Sequence, residues 1–133
     1  MTARLCRLTL AIPVVAATIL AACSSSTSNS NPKPTANVTM VAGAFNKGAQ
    51  AFKPDTFPVS IAAGGKVTWR NDDGITHTAT ADLTADSLAG FHTNNLASGD
   101  TLTIDFSGFA VNDTIHYHCS IHNSMVGVII VNP

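Results

Sequence analysis

Residues 114–131 read TIHYHCSIHNSMVGVIIV. The first six alternate, with Ile115, Tyr117 and Cys119 on one face and polar residues on the other. The last six, Val126 to Val131, form a nearly continuous apolar run. A period of two marks a half-buried strand, and a short apolar run bounded by polar residues marks a buried one. Between the two strands lies a loop that carries a thiol at Cys119, an imidazole at His122 and a thioether at Met125.

Working outward, the same pattern recurs upstream. Val38 to Val41 reads as a strand. Thr56 to Ala62 puts Phe57, Val59 and Ile61 on one face. Gly64-Gly65 is a turn, and Lys66 to Asn71 follows with Val67 and Trp69 on one face. His77 to Ala81 is a weaker run, and Thr101 to Phe106 alternates through Leu102, Ile104 and Phe106. The stretch Ala81 to Ala97 is less regular; a helical turn around Asp82 to Ala89, then a strand, is expected there. All eight acidic residues are Asp, a residue of turns more than of helix interiors. Short strands with turn signals between them predict an all-β sandwich or barrel of about seven to eight strands.

The chain has 133 residues, with 45% hydrophobic and 11% charged. That suits one domain with an apolar core. It excludes a disordered chain, and no nucleic-acid partner is expected because a basic stripe is lacking.

Soft sulfur ligands together with imidazole suit copper, which must stay bound as both Cu(I) and Cu(II). His77, opening its own run after the loop Asp72-Asp73-Gly74-Ile75-Thr76, is the candidate fourth ligand. Mid-loop His122 is expected to lie nearest the surface. His116 and His118 share a strand face and are read as solvated or hydrogen-bonded rather than as a second metal site. His92 is read as a surface residue and Trp69 as core.

The spacing Cys119-x-x-His122-x-x-Met125 resembles the short ligand loop of amicyanin, a member of the cupredoxin (blue copper) family. Val59-Ser60-Ile61, Gly64, Val67-Thr68-Trp69-Arg70-Asn71 and His77-Thr78 are similar to that family's first-ligand region. Phe91, Gly99-Asp100-Thr101, Phe106 and Met125-Val126-Gly127-Val128-Ile129 also resemble it. The resemblance implies a Greek-key β-sandwich over residues 38–133. It implies one copper, with His77, Cys119 and His122 as equatorial ligands and Met125 as the axial one. It implies single-electron transfer between redox partner proteins rather than an enzyme. Two features depart from the pattern. Thr78 stands where Asn usually follows the first His, and Ile121 and Asn123 replace prolines around the second. Storage or delivery of copper is the alternative function, against which the small number of Met residues, three, argues. A trinuclear oxidase centre needs more His than the five here.

The N-terminus reads as an export signal. Arg4 and Arg7 precede an uncharged run from Leu8 to Ala22. Fifteen helical residues rise only about 22 Å, short of the roughly 30 Å hydrocarbon core. Leu20-Ala21-Ala22-Cys23 resembles the lipobox of bacterial lipoproteins, which implies a signal peptide over 1–22 and lipid on Cys23. Residues 23–37, rich in Ser, Asn and Pro, read as a flexible polar tether. With Cys6 in the signal and Cys23 lipidated, Cys119 is left alone in the domain. Loss of Arg4 and Arg7 leaves five basic residues against eight acidic, a net charge of −3. The expected product is a monomer anchored by lipid on the outer side of a bacterial cytoplasmic membrane or in an outer membrane facing the periplasm.

Overall fold

The structure is a computed structural model that describes residues 35–83 and 90–133. The expected signal peptide, Cys23 and the tether up to residue 34 lie outside the described residues, as does most of the helical turn expected at Asp82 to Ala89. Eight strands occur among the described residues: β1 Val38–Met40, β2 Phe52–Lys53, β3 Thr56–Ser60, β4 Lys66–Asn71, β5 Thr80–Ala81, β6 Thr101–Asp105, β7 Thr114–His118 and β8 Val126–Asn132. They form two four-stranded sheets, ordered β2-β1-β4-β6 and β3-β8-β7-β5. Most neighbours are antiparallel, but β1 runs parallel to β4 and β3 parallel to β8. The all-β sandwich expected from the alternation is therefore the observed architecture.

The alternation explains the packing. In β4, Val67, Trp69 and Asn71 are buried while Lys66, Thr68 and Arg70 face outward. In β7, Ile115 and Tyr117 are buried. Between the sheets, the Trp69 ring stacks at 5.1 Å from Phe91 and meets Tyr117 edge-on at 5.8 Å, and Phe52 meets Tyr117 edge-on at 4.8 Å. Edge and offset ring pairs of this kind add to the burial of large apolar surfaces. The turn between β3 and β4 needs glycine, because Gly65 sits at φ +62 with the Ser107 backbone only 3.1 Å from where a Cβ would stand.

Three local readings need correction. The run at His77 to Ala81 is a strand only over Thr80–Ala81. The reason lies in where its N–H groups go: Thr78 N–H donates to Cys119 Sγ at 3.3 Å and Ala79 N–H to Thr93 Oγ1 at 2.7 Å, so neither joins a ladder. The strand expected before Ala97 is reduced to isolated bridges, Thr80 with His92 and His77 with Leu96. Finally, two short 3-10 turns, Ala44–Asn46 and Gly48–Gln50, and the two-residue strand β2 occupy a stretch where no element was expected.

Candidate metal centre

The end of β7 and the start of β8 hold the loop from Cys119 to Met125. Its backbone closes on itself: His122 N–H donates to Cys119 O (3.1 Å), Met125 N–H to His122 O (2.9 Å) and Cys119 N–H to Met125 O (3.1 Å). Each bond joins two residues expected to bind metal, so the loop's own hydrogen bonds set their spacing. Cys119 and Met125 are fully buried and His122 is half-buried, as its mid-loop position implied.

His77 reaches the same point from the other side. It is held between the sheets by paired backbone bonds with Leu96, His77 N–H to Leu96 O (3.1 Å) and Leu96 N–H to His77 O (2.9 Å). Its buried ring then meets the loop. Cys119 Sγ lies 3.7 Å from His77 Nδ1 and 3.8 Å from His122 Nδ1, and the two Nδ1 atoms are 3.1 Å apart. A triangle with sides of 3.7, 3.8 and 3.1 Å has its centre about 2.1 Å from each corner, a transition-metal bond length to nitrogen and slightly short for sulfur. Two neutral imidazole nitrogens turned lone pair to lone pair repel unless a proton or a cation sits between them. The geometry therefore fits a metal ion bound by one thiolate and two imidazoles, and these three residues are the metal-capable group among the described residues. Met125 is buried in the same loop, its backbone bonded to His122 and Cys119.

The surroundings of the three candidate ligands are built as carefully. Thr78 Oγ1 accepts the Ser120 N–H at 2.8 Å and pairs with Ser120 Oγ at 3.0 Å, while its own N–H points at Cys119 Sγ. The residue that departs from the usual Asn thus still ties the two ligand segments together. A chain of hydroxyls continues outward, from Thr78 to Thr80 (3.2 Å) and from Thr80 to the exposed His92 (2.8 Å). His118 pairs with Asp82, and His116 is exposed.

Sequence reasoning missed Asp73. Its carboxylate, 6% exposed, accepts Gly43 N–H (2.9 Å) and Gly74 N–H (2.8 Å) at Oδ1. At Oδ2 it takes Ala44 N–H (3.0 Å) and His77 Nε2 (2.9 Å). Burial pushes this carboxyl up, but the bonds from Gly43, His77, Gly74 and Ala44 outweigh it and hold its pKa at about 2. The available signal was the question of what the second nitrogen of a buried ligand histidine bonds to. The 3-10 turn at Ala44–Asn46 was also missed. It lays Phe45 beside the His122 ring, 6.0 Å between centroids, and Phe45 O accepts from Ser124 Oγ at 3.1 Å.

No protein-family model matches the sequence, and no curated protein matches it. Solved structures do. A purple cupredoxin from Nitrosopumilus maritimus superposes with a TM-score of 0.60 at 23% identity, over 74% of this chain and 100% of that one. A copper-containing nitrite reductase from Thermus scotoductus superposes with a TM-score of 0.56 at 24% identity. That match takes in 75% of this chain but only 23% of the reductase. A reduced mutant form of amicyanin gives a TM-score of 0.44 at 20% identity over 58% of this chain and 67% of that one. The first two likenesses establish the fold: the two sheets are a cupredoxin sandwich.

Proposed function

We propose that this cupredoxin-fold chain is a type 1 (blue) copper protein that carries single electrons between redox partner proteins at the cell envelope. The observation that carries the reading is the triangle of Cys119 Sγ, His77 Nδ1 and His122 Nδ1, with Met125 in the same loop. Two imidazoles and a thiolate with a weak thioether form the donor set of an electron-transfer copper site. Bound copper would supply a one-electron couple between Cu(I) and Cu(II).

The chain's own residues support this use. Cys119, His77 and Met125 are shielded from water, so they hold the ion rather than offering it for exchange. That favours a carrier over storage or delivery. His122 alone approaches the surface, flanked by Phe45 and Ile121, which are 42% and 49% exposed. It is the natural point for an electron to leave. The match takes in about a quarter of the nitrite reductase, so that enzyme's activity is not carried over to this chain.

The test is a visible spectrum of the copper-loaded protein. A short copper–thiolate bond gives an intense charge-transfer band, and Cys119→Ser should abolish it. A Cys119→Ser protein that keeps the colour sinks the assignment. The second half of the proposal is location. Lipid on Cys23, following the export signal over 1–22, would tether the domain to the membrane face, and the polar residues after Cys23 would give it reach. Cells expressing Cys23→Ala should release the protein from the membrane fraction; retention as firm as the parent's counts against the anchor.

A further inference from the structure

A histidine that binds metal through Nδ1 has a second ring nitrogen, and what that nitrogen meets decides both its tautomer and its donor strength. For His122 that edge leads toward the surface. For His77 it leads inward, to a carboxylate. Asp73 Oδ2 lies 2.9 Å from His77 Nε2, and the pair is buried. The carboxylate is in turn held from all sides. Gly43, Ala44 and Gly74 donate N–H bonds to it, and the Asp73 backbone N–H donates to Asn71 Oδ1 at 2.8 Å. Asn71 is fixed by donating to the Ile75 and Leu96 carbonyls at 2.6 and 2.9 Å. Three backbone N–H donors converge on Asp73, two at Oδ1 and one at Oδ2, so it serves as an acceptor at both oxygens.

We propose that Asp73 is a positioning and charge-tuning residue of the metal site, which fixes His77 as the Nε2–H tautomer and places a negative charge behind it that favours the oxidised ion. The inference rests on the copper reading above. As acceptor, the carboxylate requires a proton on Nε2, which leaves the Nδ1 lone pair directed at Cys119 and His122. The sign of the charge effect follows from electrostatics. Cu(II) carries one more positive charge than Cu(I), so an anion one imidazole away in a dry site stabilises Cu(II) more. Donation to an anion also makes the imidazole a stronger base, which again favours Cu(II). Both effects lower the reduction potential. An asparagine cannot reproduce them, because it is neutral and its amide would turn two N–H groups toward existing N–H donors.

The test compares the parent with Asp73→Asn, each loaded with one copper. The ratio of Cu(II) to Cu(I) affinity should fall at least tenfold in the variant, which for a one-electron couple is a rise in potential of about 59 mV. A purely structural role would lower the melting temperature and leave that ratio within threefold of the parent, and this result overturns the inference. A variant that is blue with an unmoved potential leaves the copper assignment standing, whereas a parent chain that loads no copper overturns the assignment and the inference together. If Asp73→Asn does not fold, NMR of the Cu(I)-loaded parent decides. An exchange-protected His77 Nε2 proton shifted downfield toward a carboxylate partner supports the proposal, and a His77 Nε2 proton in rapid exchange with water overturns it.

Discussion

At the scale of single residues, the site is organised by side chains that do not belong to the ligand set. Thr78 is the clearest case. Its hydroxyl accepts the Ser120 N–H at 2.8 Å and contacts Ser120 Oγ, and it is 1% exposed. Thr78→Val keeps the volume and removes the acceptor. The Ser120 N–H, in a part-buried bond next to Cys119, then loses its partner, at a cost of about 1 kcal/mol. We expect the denaturant midpoint of Thr78→Val to drop accordingly in the metal-free protein, with the slope unchanged; a midpoint equal to the parent's would mean that water replaces the hydroxyl freely. The cluster of His77, Cys119 and His122 was legible because soft donors at close spacing are rare by chance. Thr78 and Asp73 were not, because their partners are 42 and 30 residues away, respectively, in Ser120 and Gly43. Only the folded chain brings them together.

At the scale of elements, legibility followed the strength of alternation. β4, β7 and β8 carry five to seven residues each, and their apolar faces announce them. β2 has two residues and the turns at Ala44–Asn46 and Gly48–Gln50 have three each, too short for any period to emerge. β5 was read too long because Thr78 and Ala79 have strand-like composition but spend their N–H groups on Cys119 and Thr93. The pairing of β7 with β8 gives a prediction of its own. Tyr117 stands opposite Gly127, and a Cβ at Gly127 would come within 2.4 Å of the tyrosine ring. Glycine is therefore a packing requirement in an otherwise apolar strand. Gly127→Ala should force the ring aside and destabilise the domain by about 1–3 kcal/mol. Because Tyr117 is two residues from Cys119, the proposed copper site should also lose affinity. Thermal unfolding and copper titration of the variant check both, and an unchanged melting temperature would show that the ring moves without cost.

At the scale of the whole molecule, the question is whether metal makes the fold or the fold makes the site. Four loops meet around the candidate site: 41–47 after β1, 72–79 after β4, 94–100 before β6 and 119–125 between β7 and β8. They are joined by bonds that need no ion, through Asp73 to Gly43 and Ala44, His77 to Leu96, Thr78 to Ser120, and Ser124 to Phe45. Behind them the buried cluster around Trp69, Tyr117, Phe52 and Phe106 spans both sheets. Among the described residues the first one anchored to this frame is Asn37, whose N–H and side-chain oxygen bracket Thr68. In such a frame the proposed ligands stand in place before any ion arrives, and binding would add its free energy to a fold that already exists. Copper at a thousand times its dissociation constant would then raise stability by about 4 kcal/mol. The melting temperature should climb with copper concentration while the far-ultraviolet circular dichroism of the chain at 25 °C stays that of a β-sandwich with and without metal. A metal-free chain with the spectrum of a coil, gaining sheet only on addition of copper, would reverse the order and make the ion a folding requirement.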